Sequence, residues 1–410
     1  MYLAAGLLLI FAITIRREEV TKILLRKNEE RRVKQGHLWI FSNEIEKVEG
    51  QTSNGEVVQV YDSKNNFIGN GFYNANSLIA VRIISYKEEV DLAKLFRDRL
   101  HSAYNFRKTV YPNRESFRMV FSESDFLPGL IIDKYNNTFV LQVYSAGIER
   151  EIGLIVNILT EDFSAKNIFS KGEEYFRKLE GLPVENNVYL GGMEEEIISD
   201  GAVKYKINFS TGHKTGFYFD QCDNRNFLGK FCKDKSVLDC FCNSGGFGLH
   251  AVNGEAKSVE FVDSSSEELK NAKENFFLNG FNYKAGFIQS DVFDYLEKCK
   301  TEKKTFDVIN LDPPAFAKNK RTIATAIKGY EKLNRLALEL LNDGGLLFTS
   351  SCSHHVKTEM FLETINSAAL KAGKQIQLFY FNNASLDHPS LPVMDETVYL
   401  KFAAYRVSSK

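Results

Sequence analysis

The sequence is poor in cysteine, and its cysteines are not arranged for metal binding. There are six in 410 residues, and none belongs to a CxxC pair. Structural zinc sites usually combine such pairs with each other or with histidines at short spacing, so we expect no metal ion. Few, unpaired cysteines in a chain of this size also suit a reducing compartment, and we expect a cytoplasmic location.

An excess of one charge is also lacking. Lys and Arg number 52 and Asp and Glu number 53, which gives a formal net charge of −1. This balance excludes an overall basic field of the kind that attracts nucleic acids, so a nucleic-acid partner has to be inferred from local features. The stretch 16–34 mixes eight Lys or Arg with four Glu, which is typical of a solvated charged face.

A membrane-spanning run is missing as well. The apolar run at residues 2–15 is about 14 residues long, whereas a helix needs about 20 to cross a bilayer. A basic segment ahead of it and a clear cleavage site are both absent, so it does not resemble a signal peptide. We interpret residues 1–15 as an apolar extension translated ahead of the true start. A membrane anchor or a ragged first strand are the alternatives, and we expect no membrane partner.

Three regions differ in their residue patterns. Residues 16–90 contain short alternating stretches, such as Glu56–Tyr61 and Leu78–Ile84, separated by Asn/Gly turns, which predicts a small β-barrel or sandwich. Residues 91–205 mix helical and strand-like segments, which predicts an α+β domain. Residues 206–410 alternate strands with helices, which predicts a parallel α/β sheet that is covered on both faces.

Within the central region, individual elements can be predicted. The segment Val90–Val110 has a helical pattern, and a second helix is expected near Gly147–Leu159. Leu130–Asp133 and Thr138–Val143 are strand-like. In the third region, strands are predicted at five short apolar runs: Val237–Phe241, Val259–Val262, Phe287–Gln289, Val308–Leu311 and Leu346–Thr349.

Acidic residues stand at the ends of four of these strands. Ligands of parallel α/β sheets bind beyond the carboxyl ends of the strands. A glycine-rich turn there lets the backbone approach a ligand closely, and an acid at the end of the second strand can bind ribose hydroxyls. We therefore predict a nucleoside-containing cofactor held by Asp239, Phe241, Gly245, Gly246, Asp263, Ser264, Asp291, Val292 and Asp312. Of these, Asp291 and Val292 are expected at the adenine.

These motifs resemble a known family. Residues 206–410 resemble a Rossmann-like class I S-adenosylmethionine (SAM)-dependent methyltransferase domain, and the chain as a whole resembles the RlmI-type 23S ribosomal RNA cytosine-5 methyltransferases. The segments that carry this resemblance outside the glycine turn are Glu30–Ile45, Asp125–Asp133, Glu180–Pro183, Gly212–Gln221 and Asn224-Arg225.

The resemblance implies a fold, a cofactor and a partner. Residues 16–90 would form a PUA-like RNA-binding domain, SAM would be the cofactor, and 23S ribosomal RNA the substrate. It implies that Gln221 contacts the cofactor and that Lys214 and Arg225 contact the substrate. One departure is Cys222, which stands where the family pattern has an arginine. A homodimer is possible.

The resemblance also implies that Cys352 faces the same pocket as Asp312. A thiolate that adds to carbon 6 of cytosine activates carbon 5 for attack on a methyl donor, which is covalent catalysis. A helix N-terminus or a nearby cation would lower the pKa of such a thiol. We expect Cys352 as the nucleophile and Asp312 as the group that binds the base, with Pro313, Pro314 and Phe316 also contacting it.

Other functions remain open from the residues alone. The Asp312-Pro313-Pro314 loop is also compatible with methylation of an exocyclic amine, and guanine N7 needs no nucleophile from the enzyme; Cys352 favours carbon 5. A non-catalytic RNA-binding factor for ribosome assembly and a small-molecule methyltransferase are the remaining alternatives. The PUA-like region argues against the small-molecule substrate.

Overall fold

The structure is a computed structural model that describes residues 20–210, 215–282, 284–317 and 319–410. The apolar extension expected at residues 1–15, and Lys214, lie outside the described residues. None of the described helices is both long enough and apolar enough to span a membrane.

The first domain is built on a six-stranded sheet, in agreement with the expected β-rich region. Its strand order is β2-β6-β5-β4-β1-β3, and β1 and β4 are its one parallel pair. The apolar side chains of alternate residues, such as Val58 and Val60, are buried in its core. The elements are β1 (Lys22–Leu25), α1 (Glu30–Lys34), β2 (Trp39–Phe41), β3 (Ile45–Glu49), β4 (Val57–Tyr61), β5 (Phe67–Tyr73) and β6 (Ile79–Ser85).

The central domain combines a five-stranded sheet with helices, as expected for an α+β region. Its sheet order is β11-β10-β9-β8-β7. Helix α2 begins where the Asp91 side chain accepts a hydrogen bond from the Lys94 amide at 3.0 Å. The elements are α2 (Leu92–Val110), β7 (Phe117–Phe121), β8 (Leu130–Tyr135), β9 (Thr138–Val143), α3 (Ala146–Arg150), α4 (Ile152–Phe163), β10 (Asn167–Ser170), α5 (Glu174–Leu179) and β11 (Asn187–Leu190).

A β-hairpin leads into the third domain. It consists of β12 (Glu196–Asp200) and β13 (Val203–Ile207). Its backbone amides at Lys204 and Lys206 donate to the side chains of Asn279 and Asn275, at 2.7 and 2.8 Å. Since β13 crosses the boundary expected between residues 205 and 206, we place the start of the third domain ahead of the hairpin.

The third domain is a seven-stranded α/β sheet with the order β16-β15-β14-β17-β18-β20-β19. The first five strands in that order are parallel, and β20 runs antiparallel to both of its neighbours. The elements are α6 (Cys222–Gly229), β14 (Ser236–Cys240), α7 (Gly246–Asn253), β15 (Ser258–Asp263), α8 (Ser266–Leu278), β16 (Ala285–Gln289), α9 (Val292–Thr301), β17 (Phe306–Leu311), α10 (Ile323–Leu340), β18 (Leu341–Ser351), α11 (Thr358–Lys371), β19 (Lys374–Asn382) and β20 (Lys401–Ser409).

Both faces of this sheet are covered, as expected for a parallel sheet. Neighbouring residues of one strand enter two different apolar clusters: Val308 packs in one and Ile309 in the other. The strand order reverses at β14, which lies between β15 and β17, and such a reversal opens a crevice beyond the carboxyl ends of the strands. The fold therefore brings the expected acids to one edge of the sheet.

A buried ionic network joins the central and third domains. Arg107, on α2, is fully buried and pairs with both carboxylate oxygens of Asp125. It also donates to the backbone carbonyl of Asp387 at 2.7 Å, and the Asp387 carboxylate accepts from the amide of Arg118 at 2.9 Å. The segment that leads from β19 to β20 is thereby fixed against the central domain.

This network makes a stability prediction. Replacing Arg107 by Met leaves the Asp125 carboxylate buried without its partner, and we expect a loss of about 3–5 kcal/mol in the free energy of unfolding. The measurement is the urea midpoint followed by circular dichroism. The matched control is Arg97→Met on the same helix, which removes exposed ion pairs with Glu161 and Asp162 and should cost less than about 1 kcal/mol. Equal losses in the two variants would contradict the assignment.

Candidate active site

One cavity of about 1000 Å³ lies at the carboxyl ends of β14, β17 and β18 and extends to the other two domains. The third domain lines it with the glycine turn, Asp263, the Asp312 loop and Cys352. The first domain contributes Trp39 and Phe41, and the central domain Phe121 and Tyr144. A cavity shared by all three domains can hold a ligand at the sheet edge and a second one that enters between the domains.

The glycine turn after β14 has a constrained backbone. Phe241, Asn243 and Gly245 all have left-handed φ values, of 60°, 50° and 90°, and such values are uncommon for residues other than glycine. A Cβ added at Gly246 would lie 2.6 Å from Nε of Arg225. Phe241, Asn243 and Gly246 line the cavity, so the turn presents its backbone there, as the sequence predicted for a ligand site.

Asp239 supports this turn from below. Its carboxylate accepts from the Gly248 amide at 2.7 Å and from the Asn310 side chain at 2.9 Å. It is 1% exposed and is not among the residues that line the cavity. Burial raises the pKa of Asp239 to about 7, although both hydrogen bonds favour the charged form. We therefore give Asp239 a positioning role in place of the cofactor contact expected from the sequence.

Asp263 lies at the end of β15 and faces the cavity, next to Ser264. Its two oxygens accept from the amides of Asn243 and Ser265, at 3.0 and 2.9 Å. A carboxylate oxygen has two lone pairs, so each oxygen can still accept a hydrogen bond from a ligand hydroxyl. This geometry suits the ribose contact expected of Asp263.

Two residues expected at the adenine have structural roles of their own. Asp291 is the N-cap of α9, and its carboxylate accepts from the amides of Phe293 and Asp294 at 2.8 and 3.2 Å. Val292 is 2% exposed and packs in the apolar cluster around α9 and α10. Neither residue is among those that line the cavity. An acid at a strand end commonly caps the next helix, and that role accounts for Asp291.

Asp312 is held by the segment that precedes α6. The Gln221 side chain donates to the Asp312 carboxylate at 2.9 Å and to the Ser350 hydroxyl at 3.1 Å. The Asn224 amide in turn donates to the carbonyl oxygen of Gln221 at 2.7 Å. Burial, together with the charge of the nearby Asp220, raises the pKa of Asp312 to about 7. Both protonation states of Asp312 are therefore populated near neutral pH.

Two charged groups in the cavity have unused hydrogen-bonding capacity. Nε and Nη1 of Arg225, and Oδ1 of Asp220, are buried and have no hydrogen-bond partner among the described residues. Both side chains line the cavity. The other Asp220 oxygen accepts from the Tyr399 hydroxyl at 2.5 Å. Unsatisfied buried groups are costly, and a ligand with one anionic and one cationic group would satisfy both.

Cys352 follows β18 and lines the same cavity as Asp312, Pro313 and Pro314. Its Sγ lies 3.8 Å from the Pro313 carbonyl oxygen. Phe316 is placed differently: its ring packs 4.6 Å from that of Tyr330, between centroids, and it is not among the lining residues. The base contact expected of Phe316 stays a prediction, although the ring packs against Tyr330 and does not line the cavity.

Comparison with known proteins agrees with this arrangement. Residues 23–86 match the PUA-like domain, and residues 217–380 match the family described as conserved hypothetical protein 95. The chain is 37% identical over 388 residues to ribosomal RNA large subunit methyltransferase I of Tolumonas auensis, covering 93% of this chain and 98% of that protein. The Klebsiella pneumoniae enzyme of the same name is 36% identical over 393 residues, covering 94% and 98%.

The chain belongs to the ribosomal RNA large subunit methyltransferase I family. The family suggested by the sequence motifs is thus confirmed. A solved structure of a protein assigned as a methyltransferase, in complex with S-adenosylhomocysteine (SAH), superimposes with a TM-score of 0.82 at 21% identity and covers 94% of this chain and 99% of that one. A second solved structure, of a protein from Streptococcus mutans assigned as a SAM-dependent methyltransferase, superimposes with a TM-score of 0.80 at 20% identity. It covers 94% of this chain and 99% of that one. These two matches confirm the expected fold.

SAM is the cofactor of this family, and the described residues fit it. The left-handed turn and Asp263 would hold the adenosine part. The buried nitrogens of Arg225 and the Asp220 oxygen that lack a hydrogen-bond partner among the described residues would match the carboxylate and the ammonium of the methionyl part, and Gln221 adjoins them. Arg225 also lies 3.9 Å from Asp200. We infer that Arg225 serves the cofactor, where the sequence resemblance implied a substrate contact. At Cys222, which is 1% exposed, no arginine is available for a further contact.

Sequence reasoning missed Asp220, Asn224 and Tyr399. For Asp220 and Asn224 a signal existed, because both stand within the motif segments that carried the resemblance. Tyr399 lines the cavity only because the last strand is inserted antiparallel beside β18. No group of three or more metal-ligating side chains occurs in the described part of the chain.

The assignment of Arg225 and Asp220 can be tested with ligands that lack one or both charged groups. We expect Arg225→Gln to weaken SAH binding roughly 10- to 100-fold, because it removes charge-assisted hydrogen bonds to the carboxylate. Binding of 5′-methylthioadenosine, which lacks the amino-acid part, should be unchanged. Decarboxylated SAM keeps the amine but lacks the carboxylate. Asp220→Asn should therefore weaken the binding of this ligand as well as that of SAH, whereas Arg225→Gln should change its binding little. Calorimetry measures each affinity, and equal losses for all ligands would show a general structural defect instead.

Asp312 makes the affinity for SAM depend on pH. Since its pKa is raised to about 7, the carboxyl is neutral below and anionic above that pH, and only the anion attracts a sulfonium. We expect the affinity for SAM to rise between pH 6 and 8 more than the affinity for SAH, whose sulfur is uncharged. Asp312→Asn should remove this difference. Parallel pH profiles of the two ligands in the unmodified protein would contradict the role of Asp312.

Proposed function

We propose that this chain methylates carbon 5 of a cytosine in 23S ribosomal RNA, with SAM as the methyl donor and Cys352 as the nucleophile. The observation that carries the proposal is that Cys352, the Asp312-Pro313-Pro314 loop and the glycine turn line one cavity. Both relatives named above are ribosomal RNA large subunit methyltransferases, which supports the substrate class. A cytoplasmic location follows from that substrate.

The chemistry begins at Cys352. Carbon 5 of cytosine is a weak nucleophile, and addition of the thiolate to carbon 6 makes it an enamine carbon. When bound, SAM supplies an electrophilic methyl carbon. The electron pair of the enamine would form the new carbon–carbon bond to that methyl carbon, while the methyl–sulfur bond of the donor would break with its electrons going to sulfur, so that SAH leaves. A base then removes the proton from carbon 5, and the carbon–sulfur bond breaks with its electrons returning to Cys352.

Asp312 is suited to hold the base during these steps. Its protonated form donates a hydrogen bond and its anionic form accepts one, and with the pKa raised to about 7 both are accessible. Thiolate addition places negative charge on the N3 side of the ring, and a protonated Asp312 would stabilise that charge. Gln221 fixes the carboxyl with a hydrogen bond of 2.9 Å, and the Asn224 side chain holds Gln221 in turn with one of 2.7 Å.

RNA would reach the site through the part of the cavity that the first two domains line. A base has to leave its stack to enter such a pocket. The aromatic side chains there, Trp39, Phe41, Phe121 and Tyr144, offer faces on which displaced bases stack. The PUA-like domain supplies the outer wall, which supports an RNA substrate over a small molecule.

The nucleophile proposal is tested by replacing Cys352. We expect Cys352→Ala to abolish methyl transfer to ribosomal RNA, because no enamine can form, while SAH affinity stays within about twofold of the unmodified protein. Mass-spectrometric mapping of ribosomal RNA from cells with and without the gene identifies the nucleotide and the methylated atom. RNA that contains 5-fluorocytidine at that nucleotide should remain covalently attached, since fluorine at carbon 5 cannot leave as a proton does.

The control for that experiment is Cys299→Ala, which changes a buried cysteine away from the cavity and should leave methyl transfer intact. Transfer at the normal rate by Cys352→Ala would rule out the covalent mechanism. If the methyl group is found on an exocyclic amine or on guanine N7, the chain is still a methyltransferase, but cytosine carbon 5 is rejected as its target.

A further inference from the structure

A buried lysine lies beside the strand end that carries Cys352. Lys401 is the first residue of β20 and is paired in register with Ser351, the residue before Cys352. It is 3% exposed. Lysine is seldom buried this deeply without a partner for its charge, so the surrounding groups have to stabilise the ammonium.

Two backbone carbonyls hold the ammonium group. Nζ donates to the carbonyl oxygens of Ser353 and Tyr399, both at 2.7 Å. Ser353 directly follows Cys352, so one of these bonds fixes the ammonium against the backbone of the nucleophile. Both of these partners of the ammonium are carbonyl oxygens, and no carboxylate among the described residues is its hydrogen-bond partner. A buried cation normally has an anionic partner, and none of the described Asp or Glu residues provides it.

The titratable groups around Cys352 include neutral hydroxyls and a cation. The described neighbours that interact electrostatically with it include Tyr218 ahead of α6, Tyr330 on α10, and Tyr399 and Lys401 at the start of β20. Burial raises the pKa of all three tyrosines, which are therefore neutral at physiological pH.

Other titratable groups stand further along the same elements or across the cavity. Asp220 and Asp312 line the cavity with carboxyl groups, and their anionic forms disfavour a thiolate. His354 interacts electrostatically with His355, Lys357, Lys401 and Glu396, and Lys401 interacts with Lys357 as well as with Cys352. Lys401 is thus a buried cation that is electrostatically linked to Cys352.

We propose that Lys401 is a positioning residue that keeps Cys352 as a thiolate by supplying the buried counter-charge that this anion needs. The thiol proton passes to water, and no other bond is made or broken. The proposal rests on the nucleophilic role given to Cys352 above. Burial lowers the pKa of Lys401 to about 8, while the charge of Cys352 acts in the opposite direction, as expected for two groups that stabilise each other's charged forms.

The test is the pH dependence of Cys352 alkylation by iodoacetamide, without RNA or SAM. The other five cysteines are buried, so the rate reports on Cys352, and Cys352→Ser gives the background. We expect the thiol of the unmodified protein to titrate below the usual value of about 8.5. In Lys401→Met its pKa should rise by about one unit, which lowers the alkylation rate at pH 7 roughly tenfold.

Two further variants separate charge from folding. Lys401→Gln removes the charge but keeps a hydrogen-bond donor for the two carbonyls. Its alkylation profile should show the same rise in the pKa of Cys352 as Lys401→Met, and it provides the test if Lys401→Met folds poorly. Lys357→Met removes an exposed lysine near the same turn and should leave the alkylation profile unchanged, because solvent screens that charge. Circular dichroism and SAH affinity establish that each variant is folded.

The outcomes are distinct from those of the methylation test. A thiol that titrates at 8.5 or above in the unmodified protein, or an unchanged profile in Lys401→Gln, overturns the role of Lys401 whatever base is methylated. Full methyl transfer by Cys352→Ala overturns the proposed function. The alkylation result would then still describe the pKa of the Cys352 thiol in the protein without RNA.

Discussion

The cavity depends on one buried carboxylate at the point where the strand order reverses. Asp239 joins the end of β14 to the first turn of α7 and to Asn310 on β17. Those bonds fix the turn whose residues adopt left-handed backbone conformations, which cost energy and persist only when the surroundings impose them. With the turn fixed, Arg225 packs against Gly246 so closely that a Cβ there would lie 2.6 Å from Nε, and the guanidinium would have to shift. The position of Arg225 beside the turn therefore depends on Asp239, although Asp239 itself does not line the cavity.

The sequence was informative where local pattern and packing agree. The predicted strand Thr138–Val143 has those bounds in the structure, and the helix predicted from Val90 to Val110 begins at Leu92, after its cap. Near Gly147–Leu159 the single expected helix is two, interrupted at Glu151. Periodicity alone does not register such a break, because the apolar spacing continues across it.

Site residues were predictable to the extent that their role is local. Asp263 and Cys352 follow strands directly, so a parallel sheet was enough to bring them to one edge. Asp291 also follows a strand, but its carboxylate is used by the next helix, and sequence cannot distinguish a cap from a ligand contact. Lys401 lies 49 positions after Cys352 in the chain; only the antiparallel insertion of β20 next to β18 brings them together, and no motif encodes that pairing.

The electrostatics of the cavity set two requirements that conflict. A site for a sulfonium and an ammonium favours carboxylates, and Asp220 and Asp312 provide them. A thiolate in the same cavity is disfavoured by those carboxylates, and the elevated pKa of Asp312 shows how strongly like charges and burial act there. Protonation of Asp312 would relieve part of the conflict, and the buried ammonium of Lys401, bonded to the backbone carbonyl of Ser353 next to Cys352, would relieve the rest. Because Lys401 is bound by backbone carbonyls and not by a carboxylate, its charge is not neutralised locally and remains available to the sulfur.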